Sequence, residues 1–159
     1  VANDFVSPGV AQDIYGVVLD ALGAVDLEAT KGRRAEIRAA RIGRQPSREV
    51  SENSPLFSPL VIDRGDWHCT QCGEALGSAT QNWRDHAIVA ETEISERFQE
   101  LRSQVRPRQD GDPVVMREHY CPGCASSLSV DIALAGSGPA PQSRPGVIDP
   151  FPESLILNS

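Results

Sequence analysis

The plainest rhythm of apolar and polar positions lies late in the chain. Leu128, Val130, Ile132 and Leu134 alternate with Ser127, Ser129, Asp131 and Ala133, the period-two pattern of a half-buried strand. Val114 to Tyr120 predicts a second strand just before it. Ile94, Phe98, Leu101 and Val105 recur at helical spacing, which predicts a helix over 93–105 that Pro107 stops. Leu60-Val61-Ile62 and Ile88-Val89 predict two further short strands.

The first 45 residues read differently. Ser7-Pro8-Gly9 opens a helix with a serine cap and a proline in the first turn. Val10, Ile14, Val17, Val18 and Ala21 follow at helical spacing, although Gly16 and the β-branched pair leave an extended Tyr15–Leu19 open. Asp26 caps a second predicted helix over 27–42, with Glu28 in its first turn and Arg38 and Arg41 near its end. Its apolar stripe is poor, and such a helix needs something to pack on.

These elements predict an α+β fold in four parts: a helical arm over 1–45, a Pro- and Ser-rich linker over 46–59, a compact antiparallel sheet with an inserted helix over 60–135, and an extended tail over 136–159. The tail holds five prolines, yet Phe151, Leu155, Ile156 and Leu157 are too apolar for a solvated end. A partner, or this chain's own sheet, is expected to take them.

Charge narrows the function classes. The net charge of −7 argues against a general binder of nucleic-acid phosphates. The exception is residues 31–50, where seven Lys/Arg and two Glu give a local +5. Only 5% of residues are aromatic, and glycine and proline together number 25, a thin core for this length that calls for a metal or a partner. No run approaches ~18 apolar residues and no basic–apolar leader opens the sequence, so a cytoplasmic protein that does not enter membranes is expected.

The candidate chemistry sits in two knuckles, Cys69-Thr70-Gln71-Cys72-Gly73 and Cys121-Pro122-Gly123-Cys124, which hold all four cysteines. Two residues between sulfurs let a tight turn aim both thiolates at one ion, with backbone amides bonding back to the sulfurs. Gly73 falls where such a turn needs positive φ, and Pro122 and Gly123 shape the second turn. Cys69, Cys72, Cys121 and Cys124 thus predict a closed, structural Zn²⁺ site with four thiolates at about 2.3 Å. Iron in a rubredoxin-like setting, a nucleic-acid zinc ribbon and disulfides are the rival readings. The 48 residues between Cys72 and Cys121 exceed the ~15–20 of compact ribbons, so the site staples a loop with structure of its own. His68 and His119 flank the knuckles, and His86 lies between them in sequence. With four cysteines available none is needed as a ligand, and no catalytic residue or phosphate-cradling loop stands out.

Two stretches resemble known families. Phe5-Val6-Ser7-Pro8, Tyr15-Gly16-Val17-Val18-Leu19, Val25-Asp26-Leu27-Glu28-Ala29-Thr30 and Arg33-Arg34-Ala35-Glu36-Ile37-Arg38 resemble the C-terminal end of hydantoinase B/oxoprolinase large subunits. That likeness covers about 40 residues, carries no catalytic residue, and implies a docking arm with Arg33, Arg34 and Arg38 toward acidic partner groups. Asn82-Trp83-Arg84-Asp85-His86-Ala87 and Arg117-Glu118-His119-Tyr120-Cys121-Pro122-Gly123-Cys124 resemble the small γ subunit of the acetone carboxylases over roughly 56–150. The N-terminal extension and the Cys-x-x-Cys first knuckle depart from the usual γ chain and point to a divergent relative of the acetophenone carboxylase kind. Together the likenesses imply an accessory zinc subunit of an ATP-dependent ketone carboxylase that makes a 3-oxo acid from a ketone and bicarbonate. They imply hydantoinase A/B-like large subunits as partners in a hetero-oligomer, with ATP and bicarbonate bound only there.

Overall fold

The structure, a computed structural model, describes residues 5–51, 58–100 and 110–139. The second half of the predicted 93–105 helix, part of the linker and most of the tail lie outside the described residues.

The arm begins with α1 (Pro8–Asp13), where Ser7 Oγ accepts from the Val10 amide. The helix ends far short of Ala21. Gly16 turns the chain at φ +60°, and a Cβ there would meet Arg34 Cγ at 2.8 Å and Ile37 Cδ1 at 3.1 Å, so the close approach of the second helix requires glycine. Tyr15–Leu19 is therefore non-helical, and Leu19 bridges antiparallel to Val25. Asp26 Oδ1 accepts from the Ala29 amide to start α2 (Leu27–Ile42), and Gly43 ends it at φ +67°. Thr30 is the one buried residue of α2, and its Oγ1 accepts from the Val18 amide. Leu27 stays 76% exposed.

The rest is two small antiparallel sheets rather than one. The first has order β1 (Leu60–Asp63), β2 (Asp66–Cys69), β3 (Ala75–Ser78). Arg64 and Gly65 form the two-residue β1–β2 turn with positive φ at both positions, as such hairpins require. The second sheet has order β4 (Ile88–Glu93), β5 (Val114–Tyr120), β6 (Ser127–Leu134). A 3₁₀ turn at Trp83–His86, capped by the Asn82 side chain, joins the sheets, and α3 (Ile94–Glu100) follows β4. One core serves both sheets: Trp67, Cys69, Leu76, Trp83, Cys121, Cys124 and Leu128 pack together. Three of those seven are cysteines, so the site is the centre of the core and not an appendage.

The alternation in β6 is real, but it faces the opposite way from its simplest reading. Leu128 is buried, whereas Val130, Ile132 and Leu134 are exposed. Register places them beside Glu118, Met116 and Val114 of β5 on an outward apolar face. The inward positions are Ser129 and Asp131, because a buried polar cluster on the facing side needs them.

Candidate metal centre

Each knuckle closes a sheet. β2 delivers Cys69, and the chain turns through Cys72 into β3; β5 delivers Cys121, and the chain turns through Cys124 into β6. The two turns are built alike. Gly73 N donates to Cys69 O (2.8 Å) and Cys69 N to Glu74 O (2.9 Å); Ala125 N donates to Cys121 O (2.9 Å) and Cys121 N to Ser126 O (2.9 Å). The left-handed position of the first turn is Gly73 (φ +72°), as expected. In the second it is Ala125 (φ +59°), not Gly123.

Gly123 is glycine for another reason. A Cβ there would meet Glu74 Oε2 at 2.8 Å and Arg48 Cδ at 3.1 Å, the two sides of an ion pair that spans the knuckles at 2.5 Å. Gly123→Ala should lower stability by about 1–3 kcal/mol, the usual range for overpacking, with metal content unchanged. A thermal melt with paired elemental analysis checks it, and an unshifted melt would show that the clasp gives way freely.

The four sulfurs converge. All lie within 4.8 Å of one another. Across the knuckles Cys69 Sγ is 3.9 Å from Cys124 Sγ, and Cys72 Sγ is 3.6 Å from Cys121 Sγ. A tetrahedron of thiolates at metal–sulfur distances of about 2.3 Å has edges of about 3.8 Å, so the donor set fits one such ion. All four are free thiols rather than disulfides. The backbone amides of Gln71, Glu74, Cys124 and Ser126 hydrogen-bond the sulfurs of Cys69, Cys72, Cys121 and Cys124 respectively, which stabilises thiolates.

By themselves four crowded thiols cannot all ionise. Hydrogen bonds from Cys121 and Cys69 hold Cys124 far below the ordinary thiol value. The same crowding, then burial, pushes Cys69 far up, and burial above all pushes Cys72 to about 12. Cys121 also rises, first through its hydrogen bond with Cys124. A dication held by Cys69, Cys72, Cys121 and Cys124 would reverse this balance, because it would attract every thiolate at once.

A strap runs over both knuckles. Arg44 Nη2 donates to Pro122 O (2.7 Å), Arg48 N to Gly123 O (3.0 Å) and Ser51 N to Gln71 O (2.7 Å). Arg41 lies over the Tyr120 ring (5.4 Å) and reaches Ala125 O (3.4 Å). Residues 46–51, linker by composition, thus hold the two halves of the site together. In the sequence Arg44 and Arg48 stand out only as part of a basic run, and Arg41 only as a cation at the end of a helix.

None of the three histidines joins the sulfur cluster. His68 Nδ1 is 3.4 Å from Gly73 O. His86 is exposed and lies over Gly77, where a Cβ would meet its Nε2 at 2.5 Å. His119 is only 1% exposed; its Nδ1 faces Ser129 Oγ (3.2 Å) and Asp131 Oδ2 (3.6 Å), and its ring meets Trp83 edge-on at 5.7 Å. Arg84 binds Asp131 (3.0 and 3.4 Å) and lies over the Trp83 ring at 4.6 Å. So the 82–87 and 117–124 strings meet in space through Trp83, Arg84, His119 and Asp131.

A family model for the acetone carboxylase gamma subunit matches residues 54–147. The chain belongs to the acetone carboxylase gamma subunit family. The matched stretch spans both sheets, both knuckles and the Trp83–His119 contact, while α1 and α2 lie outside it. Among curated proteins none matches the chain. No helix among the described residues is long and apolar enough to cross a membrane.

Burial, only partly offset by Asp131, holds His119 below the ordinary imidazole value of 6.5. Arg84 and Arg117 push the same way as burial. The unfolded chain therefore takes up a proton before the folded one does. His119 contributes no penalty above pH 6.5, and stability falls as pH drops from there toward its folded value. In melts recorded across pH, His119→Gln should flatten that part of the acid slope relative to the unaltered chain. An unchanged slope would assign the acid loss to other groups.

Proposed function

We propose that this chain is an accessory, zinc-holding subunit of an ATP-dependent ketone carboxylase, of the acetophenone rather than the acetone type. The reaction joins bicarbonate and a ketone to give a 3-oxo acid. ATP and bicarbonate are handled by hydantoinase A/B-like large subunits, with the arm over 1–45 as a docking element and the 60–135 module as the metal-bearing part. The observation that carries this reading is that the family match falls on the segment whose four cysteines close into one tetrahedral set.

Cys69, Cys72, Cys121 and Cys124 are the proposed ligands. A zinc ion there supplies a cross-link between the two sheets and no open position for substrate. The chain's own residues do the rest of the bracing: the Arg48–Glu74 clasp and the amides of the turns orient the sulfurs, and Trp83 seals the core beside them.

The test is co-expression with hydantoinase-like large subunits. The expected result is a hetero-oligomer with one zinc per copy of this chain and ATP-dependent carboxylation that the chain alone does not show. Iron in place of zinc, or large subunits equally active without the chain, would overturn it. His68→Ala, His86→Ala and His119→Ala should lower turnover only as far as they lower zinc content or assembly. A loss of about a thousandfold in a fully assembled, zinc-loaded variant, roughly 4 kcal/mol of transition-state stabilisation, would place that histidine in the chemistry.

A further inference from the structure

Four arginines are neutralised by carboxylates among the described residues. Arg33 pairs with Asp13 and Glu36, Arg48 with Glu74, Arg84 with Asp131 and Arg117 with Glu91. Arg34 and Arg38 are not among them, nor are Lys31, Arg41, Arg44 and Arg64. Arg34 and Arg38 stand one helical turn apart on α2, and neither has an acidic partner among the described residues. Arg33, expected to point outward with them, is turned back onto α1.

Arg34 and Arg38, together with Arg41, form one wall of a groove of about 620 Å³ between α2 and the knuckle end of the second sheet. Ile14 and Tyr15, 49% and 58% exposed, give it an apolar side, and Ser127 lies opposite. No described carboxylate lines it. A second hollow of about 870 Å³ on the other flank of the same ridge is again lined by Arg34 and Arg38, with Glu49 as its only described acid. A cationic ridge left unneutralised in a chain of net charge −7 is complementary to carboxylates from elsewhere. A small anion would leave Ile14 and Tyr15 uncovered in the groove, and Leu27, 76% exposed, uncovered in the second hollow.

We infer that this groove receives an acidic segment of a partner large subunit, with two carboxylates on Arg34 and Arg38 and an apolar side chain against Ile14 and Tyr15. The inference rests on the carboxylase-subunit reading. Residues four apart on a helix face have Cβ atoms about 5–6 Å apart, and alternate side chains of an extended strand are about 6.6 Å apart. An extended segment with Asp or Glu at alternate positions therefore matches the ridge. Because the groove's walls are α2 and the knuckle end, the segment would touch both the arm and the metal-bearing module.

The experiment uses the assembled complex. Arg34→Glu with Arg38→Glu should weaken assembly at least tenfold at low salt and remove most of its salt dependence, with zinc content unchanged. Arg64→Glu in the β1–β2 turn should do neither. In a second arm, Arg38→Lys places an amine on the ridge, and a zero-length carbodiimide should couple it to an Asp or Glu of a large subunit, identified by mass spectrometry. Coupling to a carboxylate of this chain's own residues 140–159, no coupling at all, or full assembly of the doubly reversed variant would overturn the groove assignment alone. If the unaltered chain forms no complex with such subunits, the carboxylase reading fails and the groove assignment falls with it.

Discussion

Cys121→Ser is expected to release the metal and melt the core that both sheets share. Binding energy at structural zinc sites is folding energy, with apparent values of about 10–16 kcal/mol, against total domain stabilities of about 5–15 kcal/mol. The cysteines are three of the seven buried residues of the core cluster, so little is left to hold Trp67, Trp83 and Leu128 together once the ion is gone. These are the protein's only two tryptophans, and both sit in that cluster, which makes near-ultraviolet circular dichroism a direct readout. The variant should lose that signal together with the zinc that the unaltered chain is expected to carry. Retention of one zinc per chain with an unchanged tryptophan signal would refute the central role given to the site.

The second large effect is expected at Trp83. It is 5% exposed, packs in the cysteine core, and carries His119 at its edge and Arg84 over its face. Trp83→Ala removes the element that joins the two sheets and leaves a cavity, for which about 3–5 kcal/mol is typical. Denaturation by urea with zinc in excess should show that loss, while Trp83→Phe retains most of the stability. A loss below about 1 kcal/mol in the alanine variant would mean that the sheets are held together elsewhere.

What was legible in the sequence follows from how local each cause is. The knuckle spacing is a local instruction, so the four cysteines could be singled out directly, and the structure brings their sulfurs within 4.8 Å of one another. Asp26 and Gly43 mark the ends of α2 because capping depends on single residues. Gly16 ended α1 early for a reason no periodicity contains, the approach of Arg34 from 18 residues away. β3 escaped notice because Leu76 is its one buried residue, with Gly77 held open by His86. The inverted face of β6 has the same origin. Asp131 turns inward because Arg84 and His119 are there to meet it, and a hydropathy pattern cannot show a partner 47 residues away. The strap over the knuckles was hidden likewise, since its bonds run from arginine side chains and backbone amides to distant carbonyls.

The distance along the chain between the knuckles has a consequence in time. Lengthening a closed loop is thermodynamically cheap, about 0.6 kcal/mol per doubling, so 48 intervening residues weaken the finished site little against a compact ribbon. Synthesis proceeds at about 5–20 residues per second, however, so roughly 2–10 s separate the emergence of Cys72 from that of Cys121. During that interval the first pair of thiols has no second pair to complete a closed shell and is open to oxidants and to competing metals. Metal supply is therefore expected to govern the yield of new chains rather than the lifetime of completed ones. In a pulse-chase experiment, a chelator added during the pulse should deplete the product, and the same chelator added in the chase should leave it largely intact.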